Sequence, residues 1–252
     1  ETYNGSQTLY FLMEAALGGE LYAIYTRKGL HGSEKHCKFY AAGTICAFAH
    51  LHERHIIYRD LKPENMLLNE RGLLKITDMG LAKFVIGKTF TTCGTPDYFS
   101  PEVIASTGHN HAVDWWMLGV LVFELMSGAP PFEAPYPMQI YAKVMKGIGR
   151  VSFPPKCMGA VGDFIKALLK KEPSERLPMR PGGLKNIQDH KWYEYFNWQG
   201  FENQKMVAPF LPTVKSKTDI ANFNVRKEDL PRVVEYHPAK GDGWDADFAT
   251  SE

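Results

Sequence analysis

Apolar and polar positions follow one another along the chain in a pattern that predicts a mainly helical molecule. Residues 9–16, LYFLMEAA, are a short, mostly apolar run suited to a buried strand. Leu17-Gly18-Gly19 ends it, and residues 20–28 carry a short helical pattern stopped by Gly29. Ser33 can cap the next helix, which is predicted to run to about His52 with Cys37, Tyr40, Thr44, Phe48 and Leu51 on one face. Pro63 blocks continuation through the loop at 58–65. Two short apolar strands, 66–68 and 73–76, flank a turn at 69–72. Residues 78–101 are loop-like, rich in Thr, Gly and Pro. Residues 114–126 are hydrophobic nearly all round, which predicts a helix at the centre of the fold, with Gly128 as its C-cap and Pro130-Pro131 forbidding extension. Helical patterns return at 138–146, 161–171 and 184–189, and Gly147-Ile148-Gly149 between them reads as a turn. Beyond about Gly200 the text PFLPTVKSKTDIANFNV is extended and proline-punctuated, the pattern of a tail wrapped on the surface. No internal repeat is present.

Composition narrows the class. The 252 residues are 44% hydrophobic, enough chain for one large domain or two small ones with a sizeable core. Fifteen Phe, twelve Tyr and five Trp supply core-forming side chains that disordered chains lack. Basic and acidic residues nearly balance, 29 against 28, which argues against a nucleic-acid partner, and no basic run suggests a membrane surface. Four scattered cysteines suit neither a disulfide framework nor a zinc site and favour reduced thiols in the cytoplasm. No signal peptide is visible at the start, and the greasiest stretch is interrupted by Glu124 and shorter than the ~20 residues of a membrane span. The first residue is Glu rather than Met, which suggests a fragment.

Four motifs occur in one order: Tyr58-Arg59-Asp60-Leu61-Lys62-Pro63-Glu64-Asn65; Asp78-Met79-Gly80; Thr89 to Pro96 leading into Ser100-Pro101-Glu102; and Asp114-Trp115-Trp116. Together they resemble the protein-kinase signature set, with YRD for the catalytic loop, DMG for the metal-binding motif and SPE for the end of the activation segment. The resemblance implies an α+β, protein-kinase-like fold: a remnant of the small lobe and hinge over 1–16, the helical large lobe over 17–200, and a C-terminal tail over 201–252. Phosphoryl transfer needs a positioned acceptor, a metal on the phosphates and compensation of charge on the transferred group. Asp60 suits the first role, orienting the substrate hydroxyl and taking its proton. Lys62 suits the third, and Asn65 and Asp78 offer hard oxygen ligands for Mg²⁺. The variant letters YRD, GTPDYFSPE and DWWMLGVLVFELMSGAPPF resemble the AGC group. FNWQGF, the DIANF segment and GWDADF near the end are similar to the cGMP-dependent protein kinases. The expected function is therefore Mg-ATP-dependent phosphorylation of Ser or Thr, with cGMP acting only through domains outside this chain. A cAMP-dependent catalytic subunit and a pseudokinase or docking scaffold are the alternatives.

The same resemblance implies further roles. Met13 matches the gatekeeper. The Glu14 carbonyl and Ala16 amide match the hinge contacts to adenine, Glu20 a ribose contact, Leu67 the floor of the purine pocket, Thr77 its rear wall and Phe223 the tail aromatic closing over it. Thr91 matches an activation-loop phosphosite, with Arg59 and Lys83 as its cationic partners. Asp114 matches the brace of the catalytic loop, and Glu102 with Arg176 a buried ion pair. Glu20, Glu64 and Glu124 match acidic positions facing arginines two and three places before the acceptor. Thr92, Pro96 and Phe99 match the pocket for an apolar residue after it. The implied partners are proteins or peptides with basic residues before Ser or Thr. A glycine-rich phosphate loop and a strand lysine do not occur in this sequence, so either truncation of an active kinase or natural loss of the small lobe is expected. Low activity of the isolated chain, and an apolar strand left exposed, follow from that.

Overall fold

The computed structural model describes residues 1–5, 8–223, 243 and 248–250. An antiparallel hairpin opens the chain, β1 (Thr2–Asn4) against β2 (Leu9–Phe11). A two-residue strand, β3 (Gly19–Glu20), leads into α1 (Leu21–Lys28), which Gly29 closes in a left-handed conformation at φ +62°. The long helix α2 (Glu34–His52) follows, then β4 (Ile56–Ile57). β5 (Met66–Leu68) and β6 (Leu74–Ile76) form the expected hairpin, and β3 joins its outer edge to give the order β3-β5-β6. β7 (Lys83–Phe84) pairs back on β4. The rest is helical: α3 (Pro101–Ile104), α4 (Ala112–Ser127), α5 (Pro137–Lys146), α6 (Ala160–Leu168), α7 (Lys185–Gln188) and α8 (Trp198–Glu202).

α4 is the axis of the core. All its residues but Glu124 and Ser127 are buried, as an all-round apolar helix must be, and it packs between α2 and α6. At Gly119 a Cβ would lie 2.8 Å from Leu169, so a side chain there would force α4 away from the end of α6. Trp116 stacks on Phe132 at 5.7 Å. Each large side chain fully buried here is worth about 1.5–3 kcal/mol.

Several expected boundaries shift. The run at 9–16 is a strand only over Leu9–Phe11, and its end is open rather than buried, Leu12 being 60% and Met13 76% exposed. Apolar character predicted burial, but no described element lies over that face. Ser33 occupies the N-cap position without capping. Its hydroxyl meets His36 Nδ1 at 2.7 Å instead of a backbone amide. The helix expected over 161–171 ends at Leu168, where Leu169 leaves helical geometry (ψ +46°), and that over 184–189 is a single turn. The stretch 78–101 is not all loop, since β7 finds a partner in β4 that no local pattern announces.

The tail follows the surface. Arg71 Nη2 donates to the Gln204 carbonyl at 2.8 Å, and Asn222 Nδ2 donates to the Leu17 carbonyl at 3.0 Å. Further on, Phe248 packs edge-on against Phe11 at 5.1 Å, and the Thr250 amide donates to the Thr2 carbonyl at 3.0 Å. Most of the GWDADF stretch lies outside the described residues.

Candidate active site

One buried carboxylate holds the loop at 58–65. Asp114, in the first turn of α4, accepts the Tyr58 and Arg59 amides, each at 2.9 Å, and lies 2.7 Å from His52 Nε2. A carboxylate fully out of water is tolerated only when its oxygens are engaged, and these three contacts do so. Arg59 is thereby kept at φ +67°, a conformation unfavourable for a side chain of its size. The Tyr58 hydroxyl donates to the Thr77 carbonyl at 2.6 Å, which ties the loop to the far end of β6.

Asp60, nearly buried, sits at the centre of a small polar cluster. Lys62 Nζ lies 3.3 and 3.4 Å from its two carboxylate oxygens. Asn65 Nδ2 donates both to the Asp60 carbonyl at 2.9 Å and to its carboxylate at 2.8 Å. The hairpin brings Asp78 to the same place. Met66 pairs with Ile76 and the Thr77 amide donates to the Asn65 carbonyl at 3.0 Å, so Asp78 follows directly beyond Asn65. Asp78 is exposed, at φ +57°, with its Oδ1 accepting the Gly80 amide at 3.0 Å. Carboxylate and amide oxygens are the donors that hard divalent cations take. Among the described residues no group of three or more His, Cys, Asp or Glu makes a ready metal cage. The Asn65 and Asp78 oxygens are of the type that a hard divalent cation takes alongside water or phosphate oxygens.

A second acidic centre lies alongside. Glu124 interrupts the apolar surface of α4 and accepts the Tyr98 hydroxyl at 2.5 Å. Burial pushes its carboxyl up to about 7, and the charges of Glu64, Asp97 and Glu133 act in the same direction against the Tyr98 hydrogen bond. Burial, followed by Glu124, raises the Tyr98 phenol well above its ordinary range, so it remains a donor. The four carboxylates thus share one electrostatic neighbourhood.

The segment after Asp78 passes over Arg59. A Cβ on Gly94 would lie 2.9 Å from the Arg59 carbonyl. Arg59 donates Nε to the Leu81 carbonyl at 2.8 Å, while its buried Nη1 has no hydrogen-bond partner among the described residues. Lys83 Nζ donates to Thr89 Oγ1 at 3.0 Å, and Thr89 pairs with His109 across an isolated bridge. Thr91 and Thr92 are exposed. Arg176 anchors the end of the segment, with two 2.6 Å bonds to Glu102, bonds to the carbonyls of Ala112 and Lys170, and its guanidinium over Trp116.

The protein kinase domain family matches residues 1–193. The chain belongs to the protein kinase family. It is 45% identical over 251 residues to the cGMP-dependent protein kinase isozyme 2 forms cD5/T2 of Drosophila melanogaster, an alignment covering 98% of this chain and 26% of the fly protein. It is 41% identical to isozyme 1 of the same organism, covering 98% and 32%. Identity to the human cAMP-dependent protein kinase catalytic subunit PRKX is 41% over 228 residues, covering 90% and 63%. The chain spans between a quarter and a third of the length of these fly cGMP-dependent kinases.

Within this kinase chain the structure gathers some of the sequence-predicted site residues and separates others. Asp60, Lys62 and Asn65 touch, Asp78 follows by strand register, Asp114 accepts the Arg59 amide, and Arg176 bonds Glu102. Glu20 pairs through its backbone with Leu67, next to Gly18, whose amide donates to the Leu68 carbonyl at 2.7 Å. The Glu14 side chain turns to Lys75 at 2.9 Å, Ala16 and Thr77 are half-buried, and Phe223, also half-buried, follows Asn222 at Leu17. Phe99, expected with Thr92 and Pro96 to line the pocket for the residue after the acceptor, is buried in a small cluster with Ile57, Val103 and Val113 and stacks on Tyr141. Its aromatic bulk is used as core, which spacing in a loop does not reveal. Sequence reasoning missed His52, Tyr98, Asp97 and Glu133. Tyr98 and Asp97 stand inside the GTPDYFSPE text, whereas nothing local marks His52 or Glu133.

Proposed function

We propose that this chain is the catalytic part of a protein serine/threonine kinase that uses Mg-ATP, acts on basic segments of protein substrates, and belongs to a longer cytoplasmic protein regulated by cGMP. The observation that carries the reading is the Asp60–Lys62–Asn65 cluster, braced by Asp114 and flanked by the four-carboxylate neighbourhood of Glu124. When bound, Mg-ATP would supply the γ-phosphoryl group, leaving ADP, and a metal charge that offsets the negative phosphate oxygens. Asp60 orients the acceptor hydroxyl and takes its proton. Lys62 would offset negative charge on the transferred group, and Asn65 and Asp78 would hold the metal. The Glu14 carbonyl, Ala16 amide, Glu20, Leu67, Thr77 and Phe223 hold the nucleoside, with Asn222 fastening the tail to Leu17 as support for that placement. Glu64 and Glu124, with Glu20, attract arginines before the acceptor, and Thr92, Pro96 and Phe99 meet the residue after it. Phosphate on exposed Thr91 would draw on the unpartnered Arg59 Nη1 and on Lys83. Identity to cGMP-dependent kinases along 98% of the chain supports the regulation, and four free cysteines support the cytoplasm.

In the full-length protein, Asp60→Asn or Asp78→Ala lowers kcat by about 10²–10⁴-fold with the circular dichroism spectrum retained. Near-normal turnover in either variant overturns the assignment. The 252 residues alone, without a glycine-rich loop or strand lysine, turn over far more slowly than the full-length protein.

A further inference from the structure

A groove of about 670 Å³ lies beside α5, lined by Pro131, Lys143, Lys146, Arg150, Val151 and Ser152. Half of its lining is cationic and none of it acidic. Lys143, Lys146 and Arg150 are all exposed, and none enters an ion pair among the described residues. Three like charges held around one concavity raise its potential and favour an anionic occupant. The lining is apolar at Pro131 and Val151, so an occupant also meets surface that an extended chain can cover.

The groove adjoins the acidic neighbourhood of Glu124, and Glu133 joins the two. Its carboxylate adds to the negative field at Glu124, while its carbonyl accepts Lys143 Nζ at 2.5 Å. Negative charge around Glu124 thus lies close to the positive charge of Lys143 through Glu133. A substrate with uniform charge would be attracted by one patch and repelled by the other.

We propose that the α5 groove is a docking site for an acidic segment of the protein substrate, so that preferred substrates are bipolar: basic before the acceptor, acidic where the chain reaches Lys143, Lys146 and Arg150. The inference rests on the kinase reading for the basic half only; attraction of the acidic half by the groove is independent of turnover. Tethering the two halves makes the second contact intramolecular and tightens binding without any new chemistry.

The test is fluorescence anisotropy on the whole chain with three labelled peptides: an arginine-rich acceptor peptide, a Glu/Asp-rich peptide without Ser or Thr, and the two joined by a flexible linker. The joined peptide binds about tenfold more tightly than the acceptor peptide, and the double variant Lys146→Glu/Arg150→Glu removes that gain while leaving the acceptor peptide's affinity unchanged. Both positions are exposed, so the fold is retained. Equal affinity for joined and acceptor peptides, or a gain that survives the charge reversal, overturns the proposal. A single-stranded oligonucleotide displacing the acidic peptide at equal concentration overturns it too, because the groove then selects polyanions of another class. Loss of acceptor-peptide binding with intact acidic-peptide binding would count against the kinase substrate reading and leave the groove assignment standing.

Discussion

Single side chains decide whether the loop at 58–65 can be presented at all. Asp114 succeeds because its oxygens meet donors from three places, two of them backbone amides that no substitution elsewhere removes. Arg176 works in the same way on Glu102. Arg176→Met strands a buried carboxylate and lowers stability by about 3–5 kcal/mol, whereas adding Glu102→Leu recovers much of the loss. Chemical denaturation of the two variants measures this, and equal losses would assign the effect to the contacts with Trp116 and the backbone carbonyls. Glu124 makes a pH-dependent prediction. Its carboxyl titrates near 7 in the fold and at about 4.5 when exposed, so the folded state holds the proton more tightly. Its contribution to stability is therefore complete below about pH 4.5 and lost as pH rises through about 7. Glu124→Gln flattens that part of the stability profile. The charged form is the one that attracts guanidinium, so an arginine peptide binds more tightly as pH rises through this range. Isothermal titration at several pH values checks the direction, and a Gln variant with an unchanged slope would assign the titration to another group.

At the scale of elements, the helix pattern and the β5–β6 hairpin were legible and the long-range pairings were not. The period and all-round apolarity of α4 are written into consecutive residues, so its position and central place follow from one stretch of text. The β4–β7 pair joins Ile56 to Phe84, and each strand is two residues long, too short to carry a period. The tail shows the same limit. Its docking depends on the hairpin turn, where Gly72 sits at φ +74° and a Cβ would lie 2.1 Å from the Phe210 carbonyl. Gly72→Ala therefore lifts the tail near Phe210 as well as straining the turn, and costs roughly 1–3 kcal/mol. Gly87, at φ +85° with nothing within 4 Å of its Cβ, is the control in which strain acts alone. Hydrogen exchange of residues 204–212 rises in Gly72→Ala and not in Gly87→Ala. Equal exchange in both variants would show that the tail does not bear on the turn.

For the molecule as a whole, the large core around α4 contrasts with the opening hairpin, where Tyr10, Phe11, Leu12 and Met13 are each more than half exposed. Contiguous apolar surface of this kind promotes association. The 252-residue chain self-associates with rising concentration, and Leu12→Lys with Met13→Lys shifts it toward monomer in sedimentation velocity. A chain that stays monomeric before substitution would show that the Phe248–Phe11 contact shields the patch sufficiently.

The sequence by itself determined the helical core and the candidate residues at Asp60, Lys62, Asn65 and Asp78, because both depend on residue type and spacing within short stretches. Tertiary structure alone decided which groups meet across long separations. His52 reaches Asp114, Tyr98 reaches Glu124, Asn222 reaches Leu17, and Glu133 stands between an acidic neighbourhood and a basic groove. It also decided that Phe99 is core and Met13 is not. Burial is a property of what lies opposite a side chain, and that is set by how the helices pack rather than by the neighbouring letters.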